Sequence, residues 1–92
     1  MAVTVLIPTP LRKLTSEQET VLTVTGTIDS VIQDLDRQFP GFAGRLTDDT
    51  GNLRKFVNLY LNEEDIRFLN GRDSEVKDGD TISIVPAIAG GS

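Results

Sequence analysis

The residues with the clearest chemical potential lie at the C-terminal end of the sequence, where Ala87, Ile88 and Ala89 lead into Gly90 and Gly91. Glycine has no Cβ, so a backbone built from it can approach a nucleotide or a catalytic centre closely. One interpretation is therefore that this segment threads a narrow tunnel in a partner enzyme. The alternative is a frayed end or a leftover linker, as chain termini often are. A terminal diglycine alone does not choose between the two.

Composition excludes most other chemistry. The 92 residues include no Cys, which removes disulfides, thiolate catalysis and Cys-based metal sites. They include no His either, so a Ser-His-Asp triad cannot be built. If sulfur chemistry takes place on this chain, the sulfur cannot be carried on a side-chain thiol. We expect that the chain is not an enzyme and binds no cofactor itself, because no set of base, nucleophile and metal ligands is visible.

One acidic run, Glu63-Glu64-Asp65, invites interpretation as a metal site. Consecutive carboxylates in a turn point in different directions, and the glycine-punctuated spacing of a calcium-binding loop is missing. A zinc site resting on carboxylates alone would be unusual. We therefore predict a solvated turn here and no metal site.

Length and charge limit the class of protein and its partners. A chain of 92 residues fits one domain with one core. A net charge of −5 argues against nucleic acid and suits either solubility alone or docking on basic partner surfaces. No apolar run is long enough to span a bilayer, and the N-terminus lacks a signal-peptide pattern. We expect a cytoplasmic protein that binds neither nucleic acid nor membrane.

The elements that would position the diglycine begin with a pair of strands. Residues 2–7 are rich in β-branched side chains and predict a strand that ends at Pro8. Residues 12–19 are polar and predict a loop or hairpin turn, and residues 20–25 predict the second strand. Because the two strands are close in sequence, an antiparallel hairpin is the expected pairing.

A single long helix is predicted next, over residues 28–39, with Thr27 as its N-cap. Its apolar residues recur at helical spacing and indicate a core-facing stripe: Ile28, Val31, Ile32, Leu35 and Phe39. Pro40-Gly41 should end the helix. A short helical turn over residues 42–46 and a loop over 47–52 complete this part.

The second half of the chain predicts strands separated by tight turns. The predicted elements are a strand over 55–62, a turn over 62–65, a short strand over 66–68, a single 3₁₀ turn over 73–76 and a last strand over 81–86.

The resulting order of elements places one helix against a mostly antiparallel sheet, which is the α+β class. A hairpin first and an apolar strand last is the order of a β-grasp: a mixed sheet of four to five strands with one main helix packed on one face. In that fold the last strand lies centrally, beside and parallel to the first. We therefore predict a β-grasp domain over residues 1–86 and a flexible tail over 87–92.

Three apolar side chains are candidates for a partner interface. Alternation along the predicted strands places Phe56, Tyr60 and Val85 on the face turned away from the core. Exposed apolar residues gathered in one patch often mark an interface. The alternative for each is a partly covered residue of the sheet.

A resemblance to a known family covers nearly the whole chain. The residues that carry it are VTV at 3–5 with IPT at 7–9, Leu11-Arg12, the block FVNLYLNEEDIRF at 56–68, and the ending from Asp78-Gly79-Asp80 through Val85-Pro86 to Gly91. On these motifs the chain resembles the ThiS/MoaD group of ubiquitin-like sulfur carriers. Within that group it is most similar to the CysO-type carrier of thiocarboxylate-dependent cysteine synthesis.

The resemblance implies a mechanism and a set of partners. An E1-like adenylating enzyme would use ATP to activate the carboxylate of Gly91, and sulfide or a persulfide would convert it to a thiocarboxylate. Ile88, Ala89 and Gly90 would bind within the partners as part of the tail. The sulfur acceptor would belong to a synthase: a cysteine synthase-like enzyme, the large subunit of molybdopterin synthase, or thiazole synthase.

Ser92 departs from the family pattern, because carriers ready for use end on the second glycine. With Ser92 present, the Gly91 carbonyl is part of the amide bond to Ser92 and cannot be adenylated. Ser92 could be removed by a peptidase, be an addition from cloning, or mark a lost carrier function. We favour processing, because a JAMM-type peptidase of CysO-type pathways cuts after the diglycine of a very similar cysteine adduct.

Two other functions compete with a sulfur carrier. A ubiquitin-like modifier would be joined through Gly91 to lysines of other proteins. A plain β-grasp binding module would have an inert tail, so deleting residues 90–92 would change nothing measurable.

Overall fold

The computed structural model of the chain describes residues 2–47 and 57–86. Its strands are β1 (Val3–Leu6), β2 (Thr20–Thr23), β3 (Gly26–Thr27), β4 (Val57–Leu61), β5 (Glu64–Asp65), β6 (Glu75–Val76) and β7 (Thr81–Pro86). Its α-helices are α1 (Ile28–Gln38) and α2 (Ala43–Leu46). Segments of 3₁₀ helix cover Thr9–Thr15, Ile66–Phe68 and Gly71–Asp73.

Within this described part, five strands form one mixed sheet in the order β2-β1-β7-β4-β5. β1 pairs antiparallel with β2, as the hairpin prediction required. β7 lies between β1, to which it runs parallel, and β4, to which it runs antiparallel. This arrangement confirms the predicted β-grasp.

α1 packs against one face of the sheet and begins where the sequence predicted. The Thr27 hydroxyl accepts a hydrogen bond from the Ser30 N–H at 3.1 Å, so Thr27 is the N-cap. The predicted stripe is buried up to Leu35, while Phe39 lies just beyond the end of α1 and packs half-buried against the core.

The core lies between α1 and the inner face of the sheet. Alternate residues of β1, β4 and β7 point into it, together with residues from the flanking segments. Its fully buried members with the largest side chains include Ile7, Ile28, Leu35, Phe42, Leu46, Ile66 and Ile82. Burying most of the large apolar residues in one cluster is what a domain of this size requires.

The predicted loop over 12–19 is partly wrong, because Thr9–Thr15 forms a 3₁₀ helix. Pro10 lies near the start of this segment, and its ring fixes φ near the helical value. Proline has no backbone N–H, but an N–H at the start of a helix would have no partner within the helix. The buried Thr15 hydroxyl then contacts the carbonyls of Arg12 and Gln18 at 3.1 and 3.0 Å. These local bonds hold a compact turn where polarity alone suggested a loop.

Two predictions in the second half are also corrected. Residues 66–68 form a 3₁₀ turn, not a strand, because the Asp65 carboxylate accepts the Arg67 N–H at 2.9 Å and caps it. The 3₁₀ turn predicted over 73–76 lies earlier, at Gly71–Asp73, and Glu75–Val76 instead pairs with Gly26–Thr27.

Several predicted ends shift by one or two residues. The strand predicted over 2–7 covers Val3–Leu6, and the one predicted over 20–25 ends at Thr23. The described part of the strand predicted over 55–62 is Val57–Leu61. No α-helix among residues 2–47 and 57–86 has the length and apolar character needed to cross a membrane.

Candidate functional site

The strand that leads to the diglycine is held on both sides. β7 places Ile82 and Ile84 in the core, opposite Val5 of β1 and Leu59 of β4, respectively. The strand ends at Pro86, which is paired with Val57. β1 pairs with residues 81–83 of β7 and β4 pairs with residues 82–86, so the chain leaves an interior strand of the sheet, held at its last residues by β4, rather than a free edge.

The tail residues predicted to carry the chemistry lie outside the described residues: Ile88, Ala89, Gly90, Gly91 and Ser92. Gly91 follows Pro86 by five positions in the sequence. The structure therefore defines the strand from which these residues continue.

Asp80 anchors the beginning of β7. Its carboxylate accepts the Lys77 N–H at 2.8 Å and the Asn62 side-chain amide at 3.1 Å. The pKa of Asp80 is lowered from its usual value, chiefly by the hydrogen bond from the Lys77 N–H and to a smaller extent by the one from the Asn62 amide, because both bonds favour the charged carboxylate. The Asp80 carbonyl also accepts the Thr4 N–H at 3.0 Å, so this residue links β1, β7 and the turn after β4.

Val85 and Tyr60 lie on the sheet face that α1 does not cover. Val85 is 41% exposed and sits opposite Asn58, while Tyr60 is half-buried and sits opposite Ser83. Diagonal neighbours of this kind lie about 7–8 Å apart, within reach of an aromatic side chain. The predicted outward position of both is confirmed; Phe56, the third candidate, lies outside the described residues.

Sequence analysis missed two residues that extend this face. Leu22 is 63% exposed and Leu6 is also exposed. Leu6 lies beside Ser83 in the ladder with β7, and Ser83 lies beside Tyr60. The signal was available: alternation that turns Val3 inward in β1 turns Leu6 outward. We call Leu6, Leu22, Tyr60 and Val85 the outer face.

The outer face lies on strands that carry no charge. The sequences of β1, β2, β4 and β7 are VTVL, TVLT, VNLYL and TISIVP, without Asp, Glu, Lys or Arg. A quarter of the whole chain is charged, so this region is distinct in composition. A partner that docks here would be held by apolar burial and shape rather than by ion pairs.

The solvated turn predicted over residues 62–65 is partly wrong, because Glu64–Asp65 forms β5 and Asp65 is buried. Asn62 and Glu63 have φ of +51° and +73°, and this two-residue turn joins β4 to β5. Asp65 points inward and binds Arg67 at 2.7 Å, and this side-chain contact lowers the pKa of Asp65. In the described residues no three Asp or Glu side chains come close enough together to hold a metal ion.

Comparison with known proteins places these features in a family. A family model, the ThiS family, matches residues 5–91. The chain belongs to the ThiS family. The match includes the second half of β1, the whole of β7 and the diglycine, so the similarity of this ThiS-family chain to the family extends from the sheet into the tail that follows it.

Two individual relatives match almost end to end. The sulfur carrier protein CysO of Mycobacterium tuberculosis is 45% identical, with 99% of this chain and 100% of that protein covered. CysO of Amycolatopsis orientalis, solved in a BexX/CysO complex, is 44% identical with a TM-score of 0.91, covering 98% of this chain and 100% of that one. The Small archaeal modifier protein 3 of Haloferax volcanii is 35% identical over 71% of this chain and 70% of its own length.

Proposed function

We propose that this ThiS-family chain is a sulfur carrier that holds sulfur as a thiocarboxylate on Gly91. One observation carries the proposal: the family match runs through Gly91 on a β-grasp whose central strand ends at Pro86, five residues earlier. The 45% identity to a sulfur carrier protein over 99% of the chain supports it. The division into a body over residues 1–86 and a tail over 87–92 is part of this proposal.

The proposed chemistry takes place in a partner enzyme. A carboxylate is a poor electrophile because its charge is delocalised, so an E1-like enzyme first transfers AMP from ATP to the Gly91 carboxylate and releases pyrophosphate. Sulfide then attacks the acyl carbon and expels AMP, which leaves the thiocarboxylate. If the donor is a persulfide, its attack expels AMP and forms an acyl disulfide, and a thiol then cleaves the S–S bond to release the thiocarboxylate and a disulfide. The chain supplies no catalytic side chain in these steps, which fits a sequence without Cys and His.

The outer face is the proposed docking surface for the activating enzyme. Val85 is the best-placed anchor, because it lies one residue before the end of β7 and so closest in sequence to the tail. Ile88, Ala89 and Gly90 would then enter the active site, with Phe56 as a further contact. The A. orientalis relative was crystallised with a partner protein, which supports a carrier that works in a complex.

Cysteine synthesis is the proposed destination of the sulfur, through a cysteine synthase-like enzyme. The similarity to CysO supports this choice over the large subunit of molybdopterin synthase or thiazole synthase. Because Ser92 blocks the Gly91 carboxylate, we also propose that a JAMM-type peptidase hydrolyses the Gly91–Ser92 amide first.

Intact mass spectrometry tests the carrier proposal. A chain ending at Gly91 is incubated with the activating enzyme of the same organism, ATP and sulfide. The expected mass gain equals the replacement of one oxygen by sulfur. The chain that retains Ser92 is the matched control and is expected to react only after treatment with the peptidase. If the chain ending at Gly91 keeps its mass, the carrier proposal fails; if peptidase treatment leaves Ser92 in place, the processing proposal fails.

The docking proposal has its own test. Val85→Asp places a charge on the outer face and is expected to raise the KM of the activating enzyme about tenfold, as loss of an interface anchor does. Thr9→Asp adds the same charge at an exposed residue off the sheet and is expected to leave KM within twofold. Equal effects of the two variants would rule out the outer face as the docking surface.

A protein-modifier function is the second candidate. It is favoured by the 35% identity to an archaeal modifier protein. It predicts high-mass adducts in extracts of the native cell, with Gly91 joined to lysine side chains. Tryptic peptides in which a lysine carries the remnant from Asp78 to Gly91, the residues that follow the last tryptic site at Lys77, would establish it. Their absence under conditions where the thiocarboxylate is detected would leave the carrier function alone.

A further inference from the structure

A second apolar feature lies away from the outer face. Phe68 is 81% exposed, more than any other large apolar side chain among the described residues, and Leu69 beside it is 37% exposed. An aromatic side chain can bury about 150–250 Å² in a contact, so leaving its ring in water is costly unless something covers it. Isolated apolar residues on a surface are common, but two adjacent ones at the end of one turn form a patch.

The patch is held rigidly in place. Ile66 is completely buried and anchors the 3₁₀ turn in the core. Its carbonyl accepts the Leu69 N–H at 2.9 Å, and the Asn70 N–H binds the Ser74 hydroxyl at 3.0 Å. A partner would therefore meet a pre-formed surface and would not have to order it on binding.

Leu69 borders a hollow of about 300 Å³ that also carries acidic groups. The lining includes Leu61, Glu64, Leu69, Ser74 and Glu75. An apolar wall and two exposed carboxylates thus share one depression, and Phe68 precedes in sequence the Leu69 that lines it. Such a hollow can receive an apolar side chain and place a cation beside it.

The charge around the patch is uncompensated. Arg67 is engaged by Asp65, and Arg72 is engaged by Asp29. Among residues 2–47 and 57–86, neither Glu64 nor Glu75 has a cation within ion-pair distance. The patch is therefore apolar at its centre and negative at its border.

The position of the patch separates it from the tail. Leu61, which lines the hollow, pairs with Ile82 near the start of β7, whereas the tail leaves at Pro86. Four residues of strand span roughly 13 Å. The patch therefore does not coincide with the point at which the tail leaves the sheet.

We propose that Phe68, Leu69, Glu64 and Glu75 form a second docking surface, the edge surface, for a partner segment in which an apolar side chain is flanked by Lys or Arg. The apolar side chain would pack on Phe68 and Leu69, and the basic residues would pair with Glu64 and Glu75. This complementarity is the reason for choosing a basic segment as the occupant. The inference does not depend on the sulfur-carrier function.

Titration of the ¹⁵N-labelled chain with a synthetic peptide tests the proposal. The probe is Gly-Lys-Leu-Arg-Trp-Lys-Leu-Arg-Gly, and the matched control replaces each Lys and Arg with Glu. Amide shifts are expected to cluster at residues 61–64 and 68–76 with the basic peptide and to be absent with the acidic one. Shifts spread over the whole surface, or equal shifts with both peptides, would overturn the proposal.

Variants sharpen the same titration. Phe68→Ala is expected to weaken binding about tenfold, as loss of an aromatic anchor does. The double change Glu64→Gln and Glu75→Gln is expected to weaken binding and to reduce its dependence on salt. Val24→Ala removes another exposed apolar side chain and serves as the control, with no expected change. If Phe68→Ala binds like Val24→Ala, the edge surface is excluded.

A second copy of the chain is the competing occupant. Sedimentation of the unlabelled protein over a range of concentrations reports self-association. A dimer that Phe68→Ala abolishes would assign the patch to self-association and overturn the basic-segment proposal. A monomer at every concentration, together with localised peptide shifts, would support it.

Discussion

Replacing Asn62 with alanine is expected to destabilise the domain, because one side chain joins the turn after β4 to the start of β7. The Asn62 carbonyl oxygen accepts the Thr81 N–H at 2.9 Å, and its amide donates to Asp80 at 3.1 Å. The Asn62 φ is +51°, in the left-handed region that asparagine tolerates better than alanine. Asn62→Ala therefore removes two hydrogen bonds and adds backbone strain.

The magnitude follows from these three contributions. Each of the two exposed hydrogen bonds is worth about 0.5–1 kcal/mol, at the low end of the usual range. The backbone strain adds roughly 0.5–1 kcal/mol, which is part of the full cost of a left-handed L-residue. The free energy of unfolding is thus expected to fall by about 2 kcal/mol. For a domain of this size the corresponding loss in Tm is roughly 8–16 °C.

Urea denaturation followed by circular dichroism measures the change, with the m value as a check that unfolding stays two-state. Asn62→Gly loses the same hydrogen bonds without the strain and is expected to cost about 0.5–1 kcal/mol less than Asn62→Ala. Asn70→Ala is the matched control, because Asn70 has a negative φ and its side chain makes no hydrogen bond within the described residues.

Two results would refute this reasoning. A loss below about 0.5 kcal/mol for Asn62→Ala, the size expected of an ordinary surface substitution, would show that the side-chain bonds do not stabilise the domain. Equal losses for Asn62→Gly and Asn62→Ala would show that the backbone conformation contributes nothing. Amide hydrogen exchange at Thr81 gives an independent readout, since loosening the turn is expected to speed exchange there first.

Thr27→Ala removes the cap of α1 and is expected to cost about 1 kcal/mol in the same denaturation assay, whereas Thr27→Ser keeps the hydroxyl and is expected to stay near wild type. Ile82→Ala opens a cavity under β7 and is expected to cost about 2–5 kcal/mol; a loss below that of Thr27→Ala would contradict the tight packing around this strand. The pKa of Asp80 is lowered in the folded state, so its contribution to stability is present above its ordinary value of 3.8 and is lost as the pH falls through the lower, folded pKa. The stability gap between wild type and Asp80→Asn is therefore expected to be constant from pH 5 to 7 and to close below about pH 4, as seen in urea midpoints measured at each pH; a gap that widens on acidification would reverse the sign of this argument.

Local chemistry made much of the fold predictable. The 3.6-residue spacing of Ile28, Val31 and Leu35 indicates one buried face, and Thr27 before it is a strong N-cap, so α1 was predicted within a residue at its start. The alternation of apolar and polar residues likewise predicted which residues of β1 and β7 point into the core. One of the corrected elements is decided by a single side-chain bond. Asp65 turns Ile66–Phe68 into a 3₁₀ segment by capping Arg67, and no periodic pattern reports such a bond.

The candidate site divides in a similar way. Val85 and Tyr60 could be placed outward by counting along their strands. Leu6 and Tyr60 both lie beside Ser83, one on each side of β7. This proximity depends on the parallel pairing of β1 with β7, which joins the two ends of the chain. The register of a parallel pair is set by the packing of the whole core and not by a turn that the sequence displays.

The sequence by itself determined what kind of chemistry this protein can perform. Without Cys or His it excludes thiol and imidazole side-chain chemistry, and the diglycine after a last apolar strand is the group on which the carrier proposal rests. Only the tertiary structure decided which surfaces accompany that group. In the folded sheet, one uncharged face carries Leu6, Leu22, Tyr60 and Val85, and Phe68 stays exposed near the opposite end of the ladder between β7 and β4. The sequence does not show this, because the exposure of a side chain depends on which residues fold over it and not on its own identity.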